Sequence, residues 1–600
     1  MVEKVTTKGD RIIKANIARQ LFDVDGEGIR IGIISDSFNS LSGLNEDVKN
    51  GELPGEANPF GYGQSVTILA DSNDPLLDEG RALGQIVHDI APGAELYFHT
   101  FGRKDGDNFI SDEKSVAEAV TNLTAAGVDV IVEDAVIAAS LLQDGEAVEA
   151  IEDAIDKGVV VVSAAGNNGG ISYESVFRSG AEFELEGLQL QAHDFDPTDA
   201  VDLFQDINVP EDDTSIFSLL GWDDPIGGIE TGYVQFLVNT PELPNPNNIV
   251  VISGLTSESA IDVPLEGLGY IANQDEQLYF VIAKVGNDVS EPAFIKWVSG
   301  ANGADRKIDY EYIDEDANNG SVYGSSNAPN SIAVGATDIN NPTEIRSYSS
   351  RGGSPILFDV EGNRLAEPII RNKPEVYAPD GVETAFAPDS PFAEFVGTSA
   401  SAPHVAGVIA LMLDRAEGNL TPKQIRTKIQ DTALSVEQGS GLVQGDLAVT
   451  EAFVSETIGS DSNNFLDGTD STDNLYGSGG KDLLIGRKGQ DYLVGGDGTD
   501  ILLGGEGTDV LDGGADKDTL FGGEGSDRFI LRSGNGQDNI IGYHDREDLF
   551  VLEGLTFEQL AITHHSFGTS IEIAETNEGI AKLIGVQAET IDASNFVELA

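Results

Sequence analysis

The chain has 600 residues, too many for one ordinary hydrophobic core, and 40% of them are hydrophobic, enough to pack several units. Its 34 Lys and Arg stand against 103 Asp and Glu, a net charge of -69, which disfavours nucleic-acid phosphates and anionic membrane surfaces and invites cations. With no cysteine there are neither disulfides nor thiolate metal sites, and no apolar run reaches the roughly 18 residues of a membrane-spanning helix.

In chain order, the opening MVEKVTTKGDRIIKANIARQL lacks the apolar segment of a secretory signal peptide. From Ile29 to Val136 short apolar runs (IRIGIIS, VTILA, AELYFHT, VDVIVEDAV) alternate with helical stretches at Glu79–Asp89 and Val116–Ala126. The amphipathic Glu146–Lys157 and the run Val159–Ala165 continue this rhythm of a parallel sheet with crossover helices. Residues 171 to about 318 break it with Asp, Pro and short alternating strands (TGYVQFLV, NIVVISGL, LYFVIAKV, AFIKWVS), the pattern of an inserted β-sandwich. The α/β pattern returns at Ser331 (SIAVGATD) and closes with a helix after Gly397. From Asn464 a nine-residue period begins, with Asp473, Asp482, Asp491, Asp500, Asp509, Asp518 and Asp527 each followed two residues later by Leu or Phe. Such regularity is a solenoid signal, and the last 65 or so residues are expected to cap the stack.

Within the α/β part, GTSASAPHVAGVIALML places Ser399 at the mouth of an apolar helix, where the macrodipole favours developing negative charge. IGIISDSFN carries Asp36 at the end of a buried strand, and VVVVSAAGNNGG carries Asn167. These strings, in the order Asp, Asn, Ser, resemble the subtilases over about residues 9–170 and 320–450. The resemblance implies Ser399 as nucleophile, Asp36 as the triad aspartate and Asn167 as the oxyanion amide. One element departs: the family's catalytic His falls on Glu79, followed by Gly80, in DEGRALGQIVHDIAPGAELYFHT. There the chain is similar to the sedolisins, which use a Ser-Glu-Asp triad. Their partner Asp, four residues on, is Leu83 here, and their oxyanion Asp is Asn167. The reading is a hybrid of Ser399, Glu79 and Asp36 with a neutral Asn167.

His88 is the rival base. It lies nine residues after Glu79, on the opposite helix face and about 13 Å further along the axis, where it reads as a satisfied surface histidine. His404 reads as packing, and Glu133 and Asp134 as solvated loop carboxylates bordering the substrate cleft. A pair of carboxylates, Asp36 and Glu79, sharing a proton would set a rate profile well below that of a His-based enzyme.

The fullest repeats are GGDGTDILL, GGEGTDVLD and GGEGSDRFI. Their glycines permit turns that expose carbonyls, and their Asp supplies a charged oxygen. Residues 464–531 resemble the RTX nonapeptides, which form a parallel β-roll and bind calcium. Copies near Gly486 (GRKGQD) and Gly513 (GGADKD) are imperfect, and weak or empty sites are expected there. The resemblance further implies a bacterial protein exported through type I secretion machinery.

The expected chain is therefore multidomain: an α/β subtilisin-like three-layer sandwich at 1–170 and 319–455, an inserted β-sandwich at 171–318, a calcium-binding β-roll at 456–535 and a cap with secretion signal at 536–600. Its expected function is a secreted, extracellular, Ca2+-dependent serine endopeptidase acting on proteins or peptides, without nucleic-acid partners or membrane insertion. No room for an inhibitory propeptide is expected before the catalytic pattern. The alternative is an inactive subtilase scaffold serving as a calcium-dependent adhesin.

Overall fold

The computed structural model describes residues 8–599, apart from 73–76, 106–107, 136–138, 199, 210–213, 254–262, 287–293, 303–308, 314–319, 389, 437–439 and 454. The amino-terminal reading therefore falls partly outside the described residues, as do Val136, Gly254, Leu255 and Ala293 at the ends of expected strands.

The first unit is built on a ten-stranded sheet. Its parallel core runs Thr67–Ala70, Glu95–Thr100, Arg30–Ser35, Val130–Glu133, Val160–Ala164, Ile332–Asp338 and Val376–Asp380. These strands read as continuous apolar runs because both faces are covered. Ile31, Ile33, Val130 and Val132 join the core under the helices Glu79–Ile90 and Thr398–Arg415. Their alternates Ile34, Ile131 and Val161 join the core under Glu113–Ala126 and Glu146–Asp156. The result is a three-layer α/β arrangement. Arg30–Ser35 pairs on one side with Glu95–Thr100 and on the other with Val130–Glu133. The chain reverses direction across the sheet between those last two strands, which places a crevice beyond the carboxyl ends of Arg30–Ser35 and Val130–Glu133.

After Val160–Ala164 the chain leaves this sheet and forms two antiparallel sheets, one four-stranded and one seven-stranded, before Ile332 returns to pair with Val162. Trp222 and Trp297 from the first sheet and Tyr233 and Phe280 from the second share one core. Leu219 and Val298 of the four-stranded sheet pack on Leu141, Leu142 and Phe358 of the α/β unit, so the segment is docked rather than tethered.

The repeats form two parallel sheets. Within each sheet the neighbour lies 18 residues on, two nonapeptides to a turn: Leu475, Leu493 and Leu511 stack in one, Leu484, Leu502 and Leu520 in the other. All of these leucines are fully buried, as expected for the residue two positions after each Asp. The final residues continue both sheets through Leu549–Glu553, Glu578–Ile584 and Phe596–Leu599.

The roll is packed against the α/β unit. Val510, Ile530 and Val551 belong to the same hydrophobic core as the Ser399 helix. That helix ends in Arg415, fully buried, whose guanidinium donates to the carbonyls of Val449 and Thr450 and to Asn474 Oδ1 of the roll and lies 4.1 Å over the Phe22 ring. Arg528 of the roll pairs with Asp23 at 2.7 Å.

Candidate active site and metal-binding roll

Four of the sequence-selected residues converge at the carboxyl ends of the parallel strands. Asp36 directly follows Arg30–Ser35. Its carboxylate accepts the backbone N–H groups of Ser37 at 2.5 Å, Leu77 at 2.9 Å and Glu79 at 2.9 Å. It therefore fixes the start of the Glu79 helix through the backbone. Gly80 lets that helix approach: its N–H donates to Ser37 O at 3.0 Å, and a Cβ there would meet the same oxygen at 2.8 Å.

Ser399 lies in the first turn of Thr398–Arg415 and is 9% exposed. Three contacts set the turn before it. Gly397, at φ 111°, donates its N–H to the buried Asp380 at 3.0 Å. Thr398 Oγ1 accepts the Gly166 N–H at 3.0 Å, and Thr398 N–H donates to Asn167 Oδ1 at 3.0 Å. With Oδ1 engaged, the Asn167 NH2 lies against Gly397, where a Cβ would meet Nδ2 at 3.0 Å, and Asn167 lines the same cavity as Ser399.

The carboxyl partner of Glu79 is one that sequence reasoning set aside. Asp134 follows Val130–Glu133 and is 6% exposed, a buried acid and not a solvated loop residue. It interacts with both Glu79 and Ser399, and Glu79 with Ser399, while Asp134 Oδ2 is buried with no hydrogen-bond partner among the described residues. Burial, then the charges of Asp134 and Asp36, push the Glu79 carboxyl well above the ordinary carboxylate range. Burial, with the Asp36 charge adding to it, pushes Asp134 up to about 7. Asp36 accepts backbone N–H groups and its charge adds to the rise of Glu79, and Asp134 joins this carboxyl cluster as a third member. Glu133 is also buried rather than solvated, accepts from Ser325 Oγ at 2.9 Å and is raised by burial to about 7.

The histidines stand apart from this cluster. His88 is fully buried, not at the surface as expected, with Nε2 3.4 Å from Asn58 Nδ2 and its ring edge-on to Tyr62. His404 is a packing residue: Nδ1 pairs with Ala400 O at 2.8 Å, Gly9 lies against Nε2, and burial lowers it to about 4.

A cavity of about 290 Å3 opens beside Ser399. Ala139, Ala164, Ala165 and Tyr323 of the α/β unit line one part of it, and Ser215, Phe217, Gly269 and Gly300 of the two-sheet segment line the other.

The repeat aspartates form a ladder. Oδ1 of Asp482, Asp491, Asp500 and Asp509 accepts the backbone N–H of the residue 18 positions earlier at 2.6, 2.8, 2.8 and 3.0 Å. Asp518 and Asp527 repeat the contact at 2.8 and 3.1 Å. Oδ2 of all six is buried with no partner among the described residues. A buried carboxylate oxygen without a donor or cation is costly, and burial raises Asp491 and Asp518 to about 8 and Asp527 to about 7. Around Gly495, a Cβ would fall 2.6 Å from Asp500 Oδ2 and 2.5 Å from Gly513 O, so carboxylate and carbonyl oxygens converge on the space glycine leaves open. Orphaned oxygens in a carbonyl-lined cradle fit a hard cation such as Ca2+. In Asp473 the roles are exchanged: Oδ2 accepts the Thr469 N–H at 2.6 Å, and Oδ1 is the buried oxygen without a partner among the described residues. The imperfect copies keep the turn, with Arg487 at φ 86° and Asp516 at φ 78° in the left-handed conformation that glycine adopts in the full copies.

Comparison with known proteins gives two matches along the chain. Residues 252–479 match the Subtilase family profile, a span that holds Ser399 but not Asp36, Glu79, Asp134 or Asn167. Residues 494–529 match the RTX calcium-binding nonapeptide repeat in four copies. An extracellular protease of Xanthomonas campestris pv. campestris is 30% identical over 143 residues, 23% of this chain and 22% of that one. The subtilisin-like protease SBT1.9 of Arabidopsis thaliana is 26% identical over 325 residues, 52% of this chain and 40% of that one. The chain therefore spans less than half the length of these curated relatives. Among solved structures, the Clostridium perfringens CspB protease aligns with a TM-score of 0.41 at 13% identity, covering 74% of this chain and 94% of that one. The nisin leader peptidase NisP from Lactococcus lactis aligns with a TM-score of 0.32 at 13% identity, covering 74% and 93%.

Proposed function

From a chain that carries a subtilase-family domain and C-terminal RTX calcium-binding repeats, we propose a secreted, calcium-dependent serine endopeptidase whose general base is a carboxyl pair. The observation that carries this reading is the convergence of Ser399, Glu79 and Asp134 beside the Asn167 amide.

Ser399 Oγ attacks the carbonyl carbon of the scissile peptide bond while Glu79 takes its proton. The Asn167 NH2 and the Ser399 N–H stabilise the oxyanion, aided by the amino end of the Ser399 helix. Glu79 then protonates the leaving amine, and water hydrolyses the acyl-enzyme by the reverse route. Asp36 holds Glu79 in register, and Asp134 keeps its proton affinity high enough to deprotonate a hydroxyl. A carboxyl pair raised this far loses its proton near neutrality rather than at acid pH, which moves the expected activity limb upward from the value a simple Glu would give.

The domain reading follows the same supports: catalytic segments at 1–170 and 319–455, a β-sandwich at 171–318 whose two sheets share an aromatic core, a roll at 456–535 and a cap at 536–600. Calcium held by Asp473, Asp482, Asp491, Asp500, Asp509, Asp518 and Asp527 with loop carbonyls would neutralise the buried carboxylates and stabilise the roll. Protein or peptide substrates, extracellular location and type I secretion belong to the same proposal.

The test is labelling by a fluorophosphonate together with cleavage of a denatured protein. Wild type should be labelled at Ser399 and turn over substrate, and Ser399→Ala should do neither. Absence of labelling in folded, calcium-loaded wild type would favour an inactive scaffold acting as an adhesin.

A further inference from the structure

The two-sheet segment does not merely decorate the α/β unit. Its strand Thr214–Trp222 runs between Leu265–Ala272 and Phe294–Asn302. Alternation sends Ile216 and Leu220 inward to the aromatic core, fully buried, and sends Ser215 and Phe217 outward to the cavity beside Ser399. Phe217 is 36% exposed, a large apolar side chain left open at the mouth of a candidate catalytic cleft.

Its cross-strand neighbours are glycine on both sides: Phe217 is opposite Gly269 in one strand and Gly300 in the other. Cross-strand neighbours normally cover such a ring; here neither neighbour has a side chain to do so. A Cβ at Gly269 would meet nothing within 4 Å, so the space beside the ring is open. A Cβ at Gly300 would lie 3.5 Å from Asn167 O, so the same row abuts the loop that carries the oxyanion amide. Two residues further along the strand, Leu219 packs on Leu141 and Leu142, which fixes the shelf against the cleft. Across the cavity lie Ala139, Ala164 and Ala165, which are small and apolar, and Tyr323; none of the described lining residues is Lys or Arg.

We propose that the Gly269–Phe217–Gly300 row of the inserted segment is the closing wall of the substrate side-chain pocket, and that it selects a large uncharged, preferably aromatic, side chain next to the scissile bond. This rests on the peptidase reading. A ring seated on the bare flank of Phe217 gains area burial and an offset-stacked or edge-to-face contact. An acidic side chain would meet Asp134 with no cation to offset it, and a small one would leave the cavity unfilled.

The experiment uses the full chain with calcium and peptides that differ only in the residue before the scissile bond: Phe, Leu, Ala and Glu. Wild type should prefer Phe over Ala and cleave the Glu peptide least. Phe217→Ala should lower kcat/KM for the Phe peptide about tenfold or more while changing the Ala peptide little. Gly269→Leu fills open space rather than a packed site, and should likewise reject the Phe peptide while keeping the Ala peptide and fluorophosphonate labelling of Ser399. Unchanged Phe-to-Ala ratios in both variants would overturn the assignment, as would loss of labelling in both, which would make the row a fold element. Wild type that neither cleaves nor is labelled would instead remove the peptidase reading. Binding of a product peptide ending in Phe, expected to be lost in Phe217→Ala, then still decides the wall.

Discussion

Asp134→Asn tests the carboxyl pair directly. The substitution is isosteric, and it removes one negative charge that acts on Glu79. Two unit charges about 4 Å apart at an effective dielectric near 20 interact by about 4 kcal/mol, and each 1.36 kcal/mol is one pKa unit. The acid limb of kcat/KM should therefore move down by between about one and three units in the variant, because Glu79 no longer holds its proton against a neighbouring anion. The rate on the plateau should fall by about a hundredfold, since a less basic Glu79 abstracts the serine proton less well. Stability carries a second signature. Asp134 is raised from 3.8 to about 7 in the folded chain, so the folded state binds the extra proton. Its stabilising contribution is fully present below about pH 4 and is lost as pH rises towards 7. The shift of about three units corresponds to about 4 kcal/mol, and Asp134→Asn should flatten the stability curve by up to that amount across the same window. Rate profiles over pH and denaturant unfolding at pH 4, 5.5 and 7 measure both effects. An acid limb that stays in place with an unaltered plateau would refute the role of the pair.

Four further outcomes follow from the same contacts. Ser399→Ala should abolish turnover while leaving thermal stability nearly unchanged, read by peptide cleavage and a melting curve. Chelating calcium from the full chain should lower its melting temperature and reduce its β signal in circular dichroism, with magnesium restoring little, because the orphaned carboxylate oxygens of the repeats then repel without a counterion. Leu502→Ala, which empties a fully buried position in the roll, should cost about 2–5 kcal/mol of unfolding free energy. Arg415→Met removes the buried guanidinium from Asn474 and two carbonyls, and should split calorimetric unfolding into separate roll and α/β transitions.

Ser399, Asp36 and Asn167 were legible because each sits in a contiguous string whose turn and helix chemistry is local. Asp134 was not. Its solvated look in sequence comes from the loop that follows it, whereas its burial comes from Glu79 and Ser399, which arrive on two different helices. A cue existed: Asp36 and Asp134 end the two strands that flank the reversal of strand order, and ligand sites gather there. The nine-residue period was visible along the chain, but the 18-residue pairing depends on the roll alternating between two sheets, which a one-dimensional repeat does not display. Phe217 reads as an ordinary strand aromatic until its glycine neighbours are known, and those are 52 and 83 positions away.

The aspartate ladder has a direction. Each carboxylate caps the backbone of the turn before it, from Asn464 beneath Asp482 to Asp518 beneath Asp538 and Asp527 beneath Asp548. Every turn thus takes a carboxylate from later residues and gives back a backbone carbonyl, as Asn464 O does to the Leu483 N–H, and the last carboxylates come from the carboxyl-terminal part of the roll. Near the other end of the roll, Thr472 and Asn474 bond to Arg415 at the foot of the Ser399 helix. Without Asp548 the Asp527 N–H would lose its carboxylate acceptor, so the two ends of the stack answer to different partners: its own later strands at one, the α/β unit at the other.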